Sequence, residues 1–320
     1  MTIVAVIRGG VGDEHDVSLK TGMNVLRLLE RGPWKPVDVY IDRSGVWYVR
    51  GVPMVPSRAL SGVDVVFNAL HGLYGEDGTV QRELERLSIP FTGSASFPSS
   101  VAMNKVLTKQ MLKPLGIKTP YYTVLTVTPE LESDIVRVFR SFPQPSVVKP
   151  LNSGSSVGVT LAQSFDEFEE AIKKAFQYAK EVVVEEYIKG REATVGVIDN
   201  MRGKKTYQLP PVEIILPSSS RIFDFDAKYG GNTEERCPGS FSRSQVEELE
   251  DTAARVHEAL GLRHYSRSDF IVNPKGVYFL ETNTLPGLTE KSLIPKSLDA
   301  VGIPMDEFLN HVLMMALEKK

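Results

Sequence analysis

The chain has 320 residues, 42% hydrophobic and 24% charged, with a formal net charge of -3. That balance excludes a disordered chain, which needs fewer apolar residues or a larger net charge, and argues against a nucleic-acid binder, which is usually basic overall. The single cysteine, Cys237, allows no intramolecular disulfide, so a reducing, cytoplasmic setting is expected.

From the N-terminus, residues 2–7 read as a short buried strand with no basic leader before it. Residues 17–29 carry apolar positions at helical spacing, and 37–41 and 63–69 read as further strands. Strand, glycine loop and helix in repetition give a parallel sheet with helices on its faces, and ligands of such sheets bind outside the carboxyl ends of the strands. Two loops leave those ends, residues 9–16 and 71–78. No apolar stretch approaches the roughly 18 residues of a membrane span, so no membrane partner is expected.

Residues 92–100 are small and polar and read as a linker, which puts the first domain boundary near residue 95. A helix over 104–115 ends at Gly116 and has Lys105 at its start, where a cation opposes the helix dipole unless an anion lies nearby. Strands at 146–149 and 157–161 flank a loop containing Gly154, Ser155 and Ser156, whose backbone N–H groups and hydroxyls suit a phosphate, with Lys149 just before it. Neither a Walker A loop nor the Rossmann glycine fingerprint is present. A helix over 165–178, strands 182–185 and 193–198, a polar loop 217–236, a helix 244–260, a hairpin 266–283 and a helix 305–319 complete the chain.

The hairpin carries the most chemistry. Side chains alternate along a strand, so Arg267 shares a face with Asp269, and Glu281 with Asn283. A two-residue turn at Pro274 and Lys275 would set the two carboxylates on opposite faces. A three-residue loop including Gly276 would pair Asp269 with Glu281 and Arg267 with Asn283, and the residue types favour that loop. Opposed carboxylates repel unless a cation lies between them. With the Asn283 oxygen they form a hard, partly open oxygen set suited to Mg²⁺ shared with nucleotide phosphates.

Taken together, Glu14-His15-Asp16-Val17-Ser18 after Gly9-Gly10, His71-Gly72 with Gly75-Glu76-Asp77-Gly78, Lys149-Pro150 with Gly154-Ser155-Ser156-Val157-Gly158, Lys228-Tyr229, Arg267-x-Asp269, and Glu281-x-Asn283-Thr284-x-Pro286-Gly287 resemble the D-alanine–D-alanine ligases of the ATP-grasp superfamily. The match runs in order from residue 3 to about 310. The resemblance implies an α/β fold in three domains: a parallel-sheet substrate domain over 1–95, then an α+β ATP-grasp unit of a central subdomain (96–184) and a C-terminal domain (185–320). ATP would contact Lys105, Lys149, Gly154, Ser156, Lys228 and Leu280, with Glu185, Glu186, Tyr187 and Ile188 at adenine and Glu192 at the ribose. Asp269, Glu281 and Asn283 would hold two Mg²⁺, or Mn²⁺. Glu14, Ser155 and Tyr229 would form a hydrogen-bonded set around the first D-alanine, with His71 near its carboxylate. Ser292 and Leu293 would receive the second.

The implied chemistry is phosphorylation of the first D-alanine by ATP to an acyl phosphate, then attack by the amine of the second, with Arg267 and the Gly287 N–H on the oxyanion. The product, D-alanyl-D-alanine, would serve peptidoglycan precursor synthesis, and a homodimer is expected. Asn152-Ser153 stands where many relatives have a charged pair, and Tyr187 where some have tryptophan. Tyr229 favours a dipeptide product over D-alanyl-D-lactate, which remains the alternative together with other ATP-grasp amino-acid ligases.

Overall fold

The structure is a computed structural model that describes residues 1–152, 158–217 and 233–318. Three sheets organise these residues. The first has the strand order β4-β3-β2-β1-β5, from β1 (Thr2–Gly9), β2 (Trp34–Ile41), β3 (Trp47–Val49), β4 (Val52–Met54) and β5 (Val65–Asn68). Its centre is parallel, β1 pairing with both β2 and β5, while the short β3 and β4 extend one edge antiparallel. The sequence pattern gave no sign of that edge hairpin, because three-residue strands are too short to show alternation.

The second sheet is antiparallel, in the order β6-β9-β7-β8, from β6 (Tyr122–Thr126), β7 (Ser146–Pro150), β8 (Thr160–Ala162) and β9 (Glu181–Glu186). The third, also antiparallel, runs β13-β12-β10-β14-β15 with β11 beside β10, from β10 (Arg191–Asp199), β11 (Thr206–Gln208), β12 (Val212–Ile215), β13 (Glu234–Arg236), β14 (Tyr265–Asn273) and β15 (Gly276–Asn283).

Both faces of the first sheet are buried, as a parallel sheet requires. Val4, Val6 and Phe67 pack with Leu285, Leu288, Ile294 and Phe308, so the start of the chain shares one core with its end. Among the described residues no helix is long and apolar enough to cross a membrane.

Residues 92–100 are not an irregular linker. Thr92, Ser94 and Ser99 are buried, and Ser96–Met103 is a helix. Glu85 accepts from both the Ser96 N–H and its hydroxyl, which satisfies the helix start, and Pro98 falls in the first turn, where its missing N–H costs nothing. The next helix, Lys105–Leu112, is capped by Asn104, whose side chain accepts from the Val106 and Leu107 N–H groups. A short 3₁₀ turn then ends at Gly116, whose φ of 70° is the left-handed conformation that stops a helix.

The hairpin register is as expected, but its cause is different. Arg267 pairs with Asn283 and Asp269 with Glu281, yet Asn273 pairs with Gly276, so the turn is the two-residue Pro274-Lys275. Beyond it Phe270 faces Phe279, and a β-bulge at Leu280 shifts the register before Asp269 is reached. Burial shows the same break: β15 alternates until Leu280 and Glu281, which are half-buried in succession. The extra residue returns Glu281 to the Asp269 face.

Candidate active site

A cleft of about 450 Å³ opens between the second and third sheets. Ten of the expected residues line it: Lys149, Glu185, Glu186, Tyr187, Ile188, Glu192, Arg267, Asp269, Leu280 and Glu281. β7 and β9 contribute the first of these, while β10, β14 and β15 contribute the last. Val147, Ile214, Ile271 and Leu280 add apolar wall, suited to a flat base, beside a charged end suited to phosphates.

At that charged end Arg267 forks onto Asp269, Nε to Oδ1 at 3.0 Å and a terminal nitrogen to Oδ2 at 2.9 Å. The Asp269 charge holds the guanidinium pKa up against the opposing effect of burial. Thr194 of β10 donates to Asp269 Oδ1 at 2.5 Å, and the Asn283 amide to Oδ2 at 3.3 Å. Lys105 lies 3.4 Å from Glu281, so the cation at the helix start does have an anion beside it. Glu192 is pushed up to about 8, first by burial and then by the charge of Asp269.

Two opposed carboxylates and a carboxamide fit a hard divalent cation. Among the described residues no group of three His, Cys, Asp or Glu could hold a metal unaided. A cation here would need oxygens from a ligand, as in sites where Mg²⁺ is shared with phosphates.

Glu185 is placed differently from a simple adenine contact. Its buried carboxylate lies 2.9 Å from Lys109 and 2.8 Å from Lys149. Burial alone would raise its pKa, but the two ammonium groups bring it down to about 2. Lys109 was not legible as part of a site, because a lysine one helical turn after Lys105 reads as a solvated face. Glu186 accepts from the Tyr121 N–H, and the Tyr187 N–H reaches the Pro145 carbonyl, so the strand edge is held in place.

The second group of expected residues gathers where the helix His15–Leu29, the loop 71–78 and the loop 284–292 meet. Gly9 must be glycine: its φ is 96° and a Cβ would stand 2.1 Å from the Ile41 carbonyl. His15 binds the Gly10 carbonyl, and Ser18 accepts from Gly9 and donates to Ala69. These two residues fix the loop and leave Glu14 at the helix start, packed so closely on Gly72 that a Cβ there would meet its carboxylate at 2.4 Å.

His71 bridges two elements, with Nδ1 2.8 Å from the Leu285 carbonyl and Nε2 2.8 Å from the Thr21 hydroxyl. A carbonyl can only accept, so Nδ1 carries a proton. Glu76 is the residue that sequence reasoning left without a role. It accepts from the N–H groups of Gly72 and Leu285, at 2.9 and 2.8 Å, and is pushed up to about 7 by burial and then by the neighbouring Glu14 charge. His71 and Glu76 therefore grip both ends of the Leu285 residue, two positions before Gly287. A Cβ on Gly287 would stand 2.8 Å from the Ser292 hydroxyl, which itself binds Thr289. Leu293 begins the helix Leu293–Ala300. The remaining expected residues, Gly154, Ser155, Ser156, Lys228 and Tyr229, lie outside the described residues.

The family model for the D-Ala D-Ala ligase C-terminus matches residues 111–314, and that for the N-terminus matches residues 52–94. The D-alanine–D-alanine ligase of Syntrophotalea carbinolica is 37% identical over 99% of this chain and 97% of its own. Among solved structures, the VanG D-Ala:D-Ser ligase of Enterococcus faecalis superposes with a TM-score of 0.87 at 27% identity, covering 98% of this chain and 99% of that one. The D-alanyl-alanine synthetase A of Vibrio cholerae superposes with 0.85 at 28% identity, covering 99% of each. The fold is therefore that of an ATP-grasp ligase. With matches of this length running through both groups of site residues, the chain belongs to the D-alanine–D-alanine ligase family.

Proposed function

We propose that the chain joins two D-alanines into D-alanyl-D-alanine with ATP, for peptidoglycan precursor synthesis, through a D-alanyl phosphate. The observation that carries this reading is the convergence of Arg267, Asp269 and Glu281 on a cleft walled by the Glu185–Ile188 strand edge, next to the loop grip on Leu285. A carboxylate has no leaving group, so it must be activated before an amine can attack it; phosphoryl transfer is then chiefly a matter of positioning and charge.

In this reading the base lies against Val147, Tyr187, Ile188 and Leu280, and the phosphates face Lys105 and Lys149. Asp269, Glu281 and Asn283 would hold Mg²⁺, which when bound neutralises the charge of the moving phosphoryl group. Glu14 orients the ammonium of the first D-alanine. Arg267 and the Gly287 N–H receive the oxyanion, and Ser292 and Leu293 the second carboxylate. Lys228, Tyr229 and the Gly154–Ser156 loop remain assigned by resemblance to the phosphates and the first substrate. The three sheets support a division into domains over 1–95, 96–184 and 185–320. A cytoplasmic homodimer is the expected form, and light scattering tests it.

The deciding experiment is incubation with ATP, Mg²⁺ and D-alanine, alone or with D-lactate or D-serine, with products read by mass spectrometry. D-Alanyl-D-alanine is expected in every mixture. No ADP release with any D-amino acid would sink the assignment, and a mixed product formed in preference would move it to another acceptor.

A further inference from the structure

Among the described residues, Lys109 is the buried lysine against the cleft-lining Glu185 to which the proposed reaction gives no task. It is 1% exposed, with its ammonium 2.9 Å from Glu185 and 5.7 Å from the centre of the Tyr122 ring. The attraction to Glu185 is chiefly Coulombic. Holding an ammonium there is costly, and an unbranched apolar side chain would fill the same space without that cost. The fold alone does not need the charge.

The charge count gives the reason. Glu185 takes Lys149 with its other oxygen, at 2.8 Å. With Lys149 and Glu185 alone the wall would be a neutral pair and would present phosphates with little more than a dipole. With Lys109 added, two cations share one anion, and a net positive charge persists in a low-dielectric wall where it is little screened. Lys149 also faces Glu281, a further carboxylate that draws on the same positive charge.

We infer that Lys109 is a positioning residue for the nucleotide: from behind the cleft it compensates the Glu185 charge, so that the Lys149 ammonium stays available to the phosphates. Lys109 touches no ligand itself. The inference deepens the ATP reading of this cleft and rests on it.

The test is the Kd for ATP, by isothermal titration on the full chain with Mg²⁺ and without D-alanine, together with the KM for each substrate. Lys109→Met is expected to weaken ATP binding on the order of 10- to 100-fold, the usual scale of coupling between a residue and a site it does not touch, and to leave the KM for D-alanine unchanged. Lys109→Arg keeps the charge and retains most of the affinity. The double variant Lys109→Met/Glu185→Gln restores the net charge and is expected to bind ATP more tightly than Lys109→Met, which a merely structural lysine would not produce. A folded Lys109→Met with wild-type ATP affinity overturns the inference, as does a double variant that binds no better than the single one. If Lys109→Met does not fold, the double variant decides alone: affinity near wild type supports the role, and lost affinity overturns it. A wild-type chain that fails to bind ATP removes the nucleotide reading and this inference together, whereas the outcomes above leave that reading standing.

Discussion

Glu185 and Glu76 are both buried carboxylates, one in the cleft and one in the loop grip on Leu285, and their pKa values move in opposite directions, to about 2 and about 7. Burial pushes both upward. Glu185 has two ammonium groups within 3 Å, whereas Glu76 has two backbone N–H groups and, as its charged neighbour, the carboxylate of Glu14. Burial thus sets the scale of the perturbation, and the partners set its sign. The cleft wall is a place of fixed charge, while the grip on Leu285 is built from hydrogen bonds around a carboxyl close to its titration point.

The largest expected effect tests the fixed-charge side. Glu185→Gln leaves Lys109 and Lys149 without the anion between them, and urea unfolding should show a loss of about 3–5 kcal/mol. A loss below about 1 kcal/mol, the scale of an exposed pair, would erase the contrast. Next comes Arg267, whose charge reaches Asp269 and Glu76 alike: Arg267→Ala should lower kcat by about 10²–10³ while ATP still binds. Loss of ATP affinity in parallel with turnover would remove the role proposed for it at the oxyanion.

Glu76→Gln is a smaller change, because an amide nitrogen cannot accept and one of the two N–H groups loses its partner, at about 1–3 kcal/mol. Its pH dependence separates the two regions. Glu76 titrates at about 7 in the folded state, above its ordinary value of 4.5, so the folded chain binds more protons and stability falls as pH rises between these values. The stability of Glu76→Gln relative to wild type should therefore rise from pH 4.5 to 7, and a flat difference would show that Glu76 is not perturbed. Glu185 behaves oppositely: its contribution is present above pH 4.5 and is lost as pH falls toward 2. The smallest effect concerns the exposed pair Arg27–Glu290, at 2.6 Å, which ties the first helix to the loop 284–292. Arg27→Ala should cost no more than about 1 kcal/mol, visible chiefly at low salt.

Legibility followed the range of the interaction. The βα start, the hairpin and its acidic face were readable because alternation and turn chemistry act over a few residues. The Leu280 bulge was not, since it answers to packing across the sheet, so the correct pairing of Asp269 with Glu281 was reached through a wrong turn length. Residues 92–100 looked like a linker because small residues suit both loops and close packing; only Glu85 and the buried Ser99 distinguish the two. Lys109 and Glu76 escaped for a shared reason: their roles depend on Glu185 and Leu285, which lie 76 and 209 positions away.

The bulge also makes the acidic face a matter of parity. Between Asp269 and Glu281 the residues outside the turn are odd in number, so a regular ladder cannot pair them all, and Leu280 is the unit left over that the bulge absorbs. Deleting Leu280 itself would abolish the bulge and leave Glu281 opposite Asp269 as the next pair of a regular ladder after Phe270 and Phe279. Removing one residue from each strand, with the bulge kept, would also preserve the facing pair. The facing pair thus survives any change of length that leaves the two arms equal or lets one bulge absorb the difference, a constraint that acts on chain length rather than on any side chain.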